Sequence, residues 1–179
     1  MILSDTEIGF AMGRGEILIE PFREECLGSN SYDVHLSKYL KVYEIEGELD
    51  AKKANSTREI IIPPEGFVLV PGILYLGVTE EYTESHRYVP FLEGKSSVGR
   101  LGIIIHATAG KGDVGFCNTW TLEISAIHRV RVYAGMPIGQ LIFFDVKGEV
   151  ENKYNNKKDA KYTERTDKPV GSMMWKNKF

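Results

Sequence analysis

With 179 residues, 42% of them hydrophobic and 26% charged, the chain suits one soluble globular domain with a substantial core. A net charge of −3 leaves no basic field for sequence-independent nucleic-acid binding, so an anionic ligand must be held by a local cluster of cations. No apolar run approaches the ~20 residues of a membrane helix, and Cys26 and Cys117 alone make neither a disulfide framework nor a metal knuckle.

The first residues, Met1-Ile-Leu-Ser-Asp-Thr-Glu7, lack the basic and apolar regions of a signal peptide, so the cytoplasm is the expected address. Ser4-Asp-Thr-Glu7 reads as a capping box that opens a short helix, which Gly13 and Gly15 end. Short β-like runs follow at Ile17–Ile19, Tyr32–Leu36, Lys41–Tyr43, Ile60–Ile62, Phe67–Val70 and Leu74–Val78. Between them, Glu44–Glu59 is charged and reads as a surface excursion. Later runs are Tyr88–Leu92, Ile103–Ile105, Thr119–Ser125, Val130–Tyr133 and Ile138–Phe144. Many short strands with few helical periods predict a sandwich or barrel. From Lys147 to Phe179 the chain is a polar tail that cannot fold alone; it either stays mobile or orders over something, such as a ligand.

Residues 93–123 hold the chemistry. Glu93-Gly-Lys-Ser-Ser-Val-Gly-Arg100 gathers two cations, two hydroxyls and two glycines before an apolar run. Ser96 and Ser97 are expected to cap a helical turn whose start favours phosphate, with Lys95 and Arg100 adding charge-assisted bonds. The same residues also fit an ordinary surface turn, and the spacing is not that of a P-loop. In Trp120-Thr-Leu-Glu-Ile-Ser-Ala126, strand alternation puts Leu122 and Ile124 on one face and Thr121, Glu123 and Ser125 on the other. Glu123 then faces either water or a lined cavity. His106 reads as a structural histidine, Asp113 as a turn aspartate beside Gly110 and Gly112.

Taken together, Glu93-Gly-Lys-Ser-Ser-Val-Gly-Arg-Leu-Gly102, His106-Ala-Thr-Ala109, Asp113-Val-Gly-Phe116 and Thr121-Leu-Glu123 resemble the dCTP deaminases, a branch of the trimeric dUTPase fold. Ile2-Leu-Ser-Asp5, Ser31-Tyr-Asp-Val34, Pro71-Gly72, Gly135-Met-Pro-Ile-Gly139 and Asp159-Ala-Lys-Tyr162 fall in the family's order. The resemblance implies a mainly β, distorted dUTPase-like barrel of jelly-roll type with short helices, forming a homotrimer with active sites between subunits. It implies that Glu123 is the general acid/base and that Ser96 and Arg100, with a carbonyl near Ala109, hold the attacking water. Asp113 is then expected to bond the sugar 3′-hydroxyl, Phe116 to pack on the deoxyribose, and backbone around Thr121 to read the cytosine edge. Lys95, Ser97, Tyr154 and Lys161 would grip a triphosphate carrying Mg²⁺, with residues 147–179 as the lid; Gln140 joins the substrate-binding set.

Deamination of dCTP to dUTP and ammonia is the activity this implies first. No zinc is expected, because the His-x-Glu and Pro-Cys-x-x-Cys motifs of the zinc deaminases are missing. Lys111 leans toward single-activity deaminases, whereas Gly110 and Gln140 lean toward a bifunctional branch that carries dCTP on to dUMP and diphosphate. A plain dUTPase leaves Glu123 without a task, and a non-catalytic trimer binding dCTP, dTTP or dUTP is a further alternative. Two positions depart from the family pattern: Arg165 stands where many relatives carry Gln, and Asn118 where Gly is usual.

Overall fold

The computed structural model describes residues 1–179. Helix α1 spans Asp5–Gly13, and Ser4 caps it by accepting the Glu7 N–H at 3.3 Å. The return arm of the expected capping box is missing, because the Glu7 carboxylate pairs with Arg14 at 2.8 Å instead. Gly15, at φ +70°, then turns the chain into the first strand.

Eleven strands follow, close to the eleven apolar runs: β1 (Ile17–Glu20), β2 (Tyr32–His35), β3 (Tyr39–Tyr43), β4 (Thr57–Ile61), β5 (Phe67–Leu69), β6 (Tyr75–Ser85), β7 (Val89–Gly94), β8 (Ile103–Ile104), β9 (Cys117–Ala126), β10 (Val130–Val132) and β11 (Pro137–Phe144). Between β7 and β8 lies α2, a single turn over Ser96–Gly99. The largest sheet runs β4-β3-β6-β9-β8, with β1 added to β6; β2-β11-β7 and β10-β5 form two smaller ones. No sheet closes on itself. The expected barrel is therefore realised as open sheets around a cluster of 26 buried hydrophobic residues.

Two polar stretches outside the expected apolar runs are strand. Thr57–Glu59, assigned to the surface excursion, begin β4. The second half of β6, Thr79–Ser85, buries Thr79, Glu81, Thr83 and Ser85 on one face and leaves Glu80, Tyr82 and Glu84 half-buried on the other. Glu81 is fully buried because Arg23 (3.0 Å), the His35 ring (2.7 Å) and the His35 N–H (2.8 Å) surround its carboxylate. This strand is the partner that positions β9. On β9 the alternation holds as expected: Trp120, Leu122 and Ile124 are buried, while Thr119, Thr121 and Glu123 are half-buried on the opposite side. The tail orders along this strand within the same chain, through bonds to Asn118, Thr119 and Thr121.

Candidate active site

Glu123 faces a cavity. Its strand is pinned by a bond from the Glu123 N–H to the Ile105 carbonyl at 2.8 Å, and its carboxylate accepts the Ala107 N–H at 3.1 Å. One carboxylate oxygen is thus fixed by backbone, leaving the other for a ligand or water. The cavity measures about 580 Å³, within the ~300–1,000 Å³ of small-molecule sites. Phe116, Trp120 and Tyr154 give it an aromatic wall, with Phe116 4.9 Å from Trp120 and 5.7 Å from Tyr154 between ring centroids. Such faces suit a flat heterocycle and a sugar.

Of the residues picked from sequence, Glu123, Ala109, Asp113, Phe116, Thr121 and Tyr154 line this one cavity. Asp113 is more than a turn residue. Lys111 (2.6 Å) and Lys157 (3.2 Å) both hold its carboxylate. The Lys111 bond pulls its pKa below the usual carboxylate range, partial burial opposes this, and Lys157 adds to the lowering. Asp113 is accordingly an ionised acceptor at neutral pH, already engaged by two ammonium groups.

Six other expected residues lie outside the cavity in the single chain. Ser96, Ser97 and Arg100 are exposed on α2, and their side chains make no hydrogen bond or ion pair. The expected serine cap does not form: Lys95 occupies the N-cap position without a side-chain cap bond. The Lys95 ammonium is instead paired with Asp33, and Gln140 accepts the Ser31 hydroxyl at 3.0 Å. Asp33 and Ser31 thus join this second cluster, and their signal lay in Ser31-Tyr-Asp-Val34. Lys161 is half-buried without an ion pair. Arg165 turns away, stacking on Tyr82 at 4.0 Å and reaching Glu20 at 3.4 Å.

The cavity wall also includes His106, read as structural from sequence, Asn118, noted only as a departure, and Tyr43, Tyr162, Thr166 and Val170, to which sequence reasoning gave no individual part in the site. His106 has an Nδ1 that is buried without a partner, and its Nε2 lies 3.7 Å from Glu93. Two groups of side chains have the ligand atoms to hold a metal, Glu84/His86/Cys117 and His35/Glu80/Glu81. Neither contributes to the cavity, and Arg23 already fills the second.

A model of dCTP deaminase-like proteins matches residues 2–146. The chain belongs to the dCTP deaminase-like family. It is 52% identical over 162 residues to the "dCTP deaminase, dUMP-forming" of Cytophaga hutchinsonii, covering 90% of each chain. It is 51% identical over 162 residues to the protein of that name from Clostridium acetobutylicum, covering 88% of this chain and 92% of that one. Among solved structures, the 2′-deoxycytidine 5′-triphosphate deaminase from Agrobacterium tumefaciens superposes with a TM-score of 0.62 at 21% identity. That match covers 79% of this chain and 47% of the other, so the chain spans about half of that structure, and it establishes shared fold. The relatives' product corrects the reading that placed dUTP at the end of the reaction: they are named for forming dUMP. Gly110 and Gln140, not Lys111, carried the better signal.

Proposed function

We propose that this dCTP deaminase-like protein hydrolyses dCTP to dUMP in two steps, deamination at cytosine C4 followed by release of diphosphate. The observation that carries the proposal is the Glu123 carboxylate, fixed by the Ala107 N–H on the wall of an aromatic-lined cavity in a chain half-identical to dUMP-forming deaminases. In the first step a water oxygen bonds to C4 while Glu123 takes the water proton and delivers it to N3. Glu123 then takes the proton of the new C4 hydroxyl and passes it to the exocyclic amine, so that the C4–N bond breaks as the oxygen becomes the C4 carbonyl, and ammonia leaves. General acid–base help of this kind is worth roughly 10²–10⁴-fold. In the second step a further water attacks the α-phosphate and diphosphate departs.

Phe116 packs on the deoxyribose, Asp113 receives the sugar 3′-hydroxyl alongside its two lysines, and backbone at Thr121 reads the pyrimidine edge. The triphosphate arrives as its Mg²⁺ complex. Tyr154 and Lys161 bind it from the tail, and the 147–179 segment acts as the lid of a single unit. Ser96, Ser97 and Arg100 are then supplied by a neighbouring copy in a homotrimer, with Lys95 and Gln140 beside them. Three features support this: the hydroxyls and guanidinium on α2 are unpartnered, they lie outside the cavity of their own chain, and Leu101, Ile104 and Ile127 near them are exposed at 51%, 46% and 64%.

Incubation with dCTP and Mg²⁺, followed by chromatography, is expected to yield dUMP, diphosphate and ammonia. Accumulation of dUTP as the sole nucleotide product would remove the second step. Glu123→Gln is expected to abolish ammonia release while dCTP binding stays nearly intact; wild-type turnover in that variant would remove Glu123 from its role. A zinc-stripping chelator is expected to leave activity intact once Mg²⁺ is restored.

A further inference from the structure

Tail residues 161–172 make no backbone–backbone hydrogen bond, so side chains fix their course over the cavity. The busiest of these is Asn118, buried at 3% exposure near the start of β9. Its amide nitrogen donates to the Tyr162 carbonyl at 3.2 Å and to the Glu164 carbonyl at 2.8 Å. Its amide oxygen accepts the Thr166 N–H at 3.2 Å and the Thr119 N–H at 2.9 Å. Two donors and two lone pairs exhaust what an asparagine can offer. The side chain behaves as a surrogate peptide group, satisfying three alternate tail residues as a neighbouring strand would. Thr119 extends the contact to the Thr166 carbonyl at 2.8 Å, and Thr121 accepts the Val170 N–H at 3.1 Å. Tyr162, Thr166 and Val170, held in this way, line the cavity that contains Glu123.

We propose that Asn118 is a positioning residue: it tethers the tail as a wall of the cavity, in the same chain that carries Glu123. The kinetic consequence rests on the deaminase reading above, whereas the tether itself does not. The chemistry is specific for an amide. Aspartate keeps the size and the acceptor for Thr166 but turns an oxygen toward two carbonyls, replacing attraction with repulsion. Glycine or alanine leaves all three tail groups unpaired.

The test uses the full chain with Asn118→Asp, and with Thr166→Pro, which removes the tail-side N–H without altering β9. Hydrogen exchange is measured without nucleotide, and KM and kcat with dCTP. Loss of the two carbonyl bonds in Asn118→Asp predicts exchange across 162–170 faster by about 10-fold, and loss of the one Thr166 N–H bond in Thr166→Pro predicts a smaller rise of about 5-fold, while β11 keeps its protection. In Asn118→Asp, KM is expected to rise by about 10-fold with kcat within about 2-fold, the mark of lost uniform binding. In the full-length double variant Asn118→Asp/Thr166→Pro, tail exchange is expected to exceed that of Asn118→Asp by less than the two single effects combined, because both substitutions act on one tether. Unchanged tail exchange in Asn118→Asp, or a KM rise without faster tail exchange, would overturn the tether. If the wild-type chain turns over no dCTP, the deaminase reading falls, and exchange still decides the tether.

Discussion

Two ammonium groups converge on Asp113, and their order of influence sets how that residue titrates. The bond from Lys111 lowers its pKa, partial burial works the other way, and Lys157 tips the balance further down. The sign follows from linkage: an aspartate ionises near 3.9 when unfolded, and the folded value lies below it. The ion pairs therefore contribute stability that is fully present above that unfolded value and lost as pH falls through the lower folded one. The contribution is small, because the carboxylate is 37% exposed and solvent screens it. A carbon-detected NMR titration is expected to give Asp113 a midpoint below 3.9, moving upward in Lys111→Ala. A midpoint unaffected by that substitution would show that the Lys111 contact is not the main cause. Under the proposed function the same pairing bears on specificity, since the sugar 3′-hydroxyl would share Asp113 with both lysines rather than meet a free carboxylate.

At the scale of elements, the loop between β8 and β9 is folded onto β7 so tightly that it tolerates no side chain at Gly110. A Cβ there would meet the Leu92 carbonyl oxygen at 2.6 Å and the His106 ring at 3.0 Å. The first is backbone on a paired strand and cannot swing aside, and the second is a cavity wall. Gly110→Ala is expected to destabilise the fold by about 1–3 kcal/mol and to lower kcat/KM by displacing His106, with denaturant midpoints and dCTP kinetics as the readouts. A variant of wild-type stability would show the loop to be softer than its contacts imply. Other parts of this architecture were legible in the chain. The apolar runs located all eleven strands, and alternation put Glu123 opposite Leu122 because packing on one face of β9 requires it. The second half of β6 was not, because Glu80 and Glu81 look like solvent-facing residues until Arg23 and His35, 57 and 46 residues away from their partners, are brought beside them. Ser96 and Ser97 had the right chemistry for a cap but stand one and two residues too late. Asn118 was visible as a departure without a cause, since its partners lie 44 to 48 residues downstream in a tail without strand or helical pattern.

For the whole molecule, the question is whether one chain contains a complete site. The cavity with Glu123 and the exposed α2 turn with Ser96 and Arg100 are separate features of the same chain. In a closed ring each copy presents one surface to the next, so a cavity on one face can be completed by a turn on another. That arrangement makes a quantitative prediction. Arg100→Ala and Glu123→Gln are each expected to be inactive alone, one lacking the donated guanidinium and the other the proton carrier. When the two variants are unfolded, mixed in equal amounts and refolded, an active site forms wherever an Arg100→Ala chain supplies the cavity and a Glu123→Gln chain supplies the turn. Random assembly gives that combination at about one quarter of sites, so roughly a quarter of wild-type activity should return. Activity that stays at zero, with mixed oligomers verified by mass, would mean that each site is built from a single chain and that α2 has another task. Recovery near one quarter would place the guanidinium and the carboxylate of each working site on different chains.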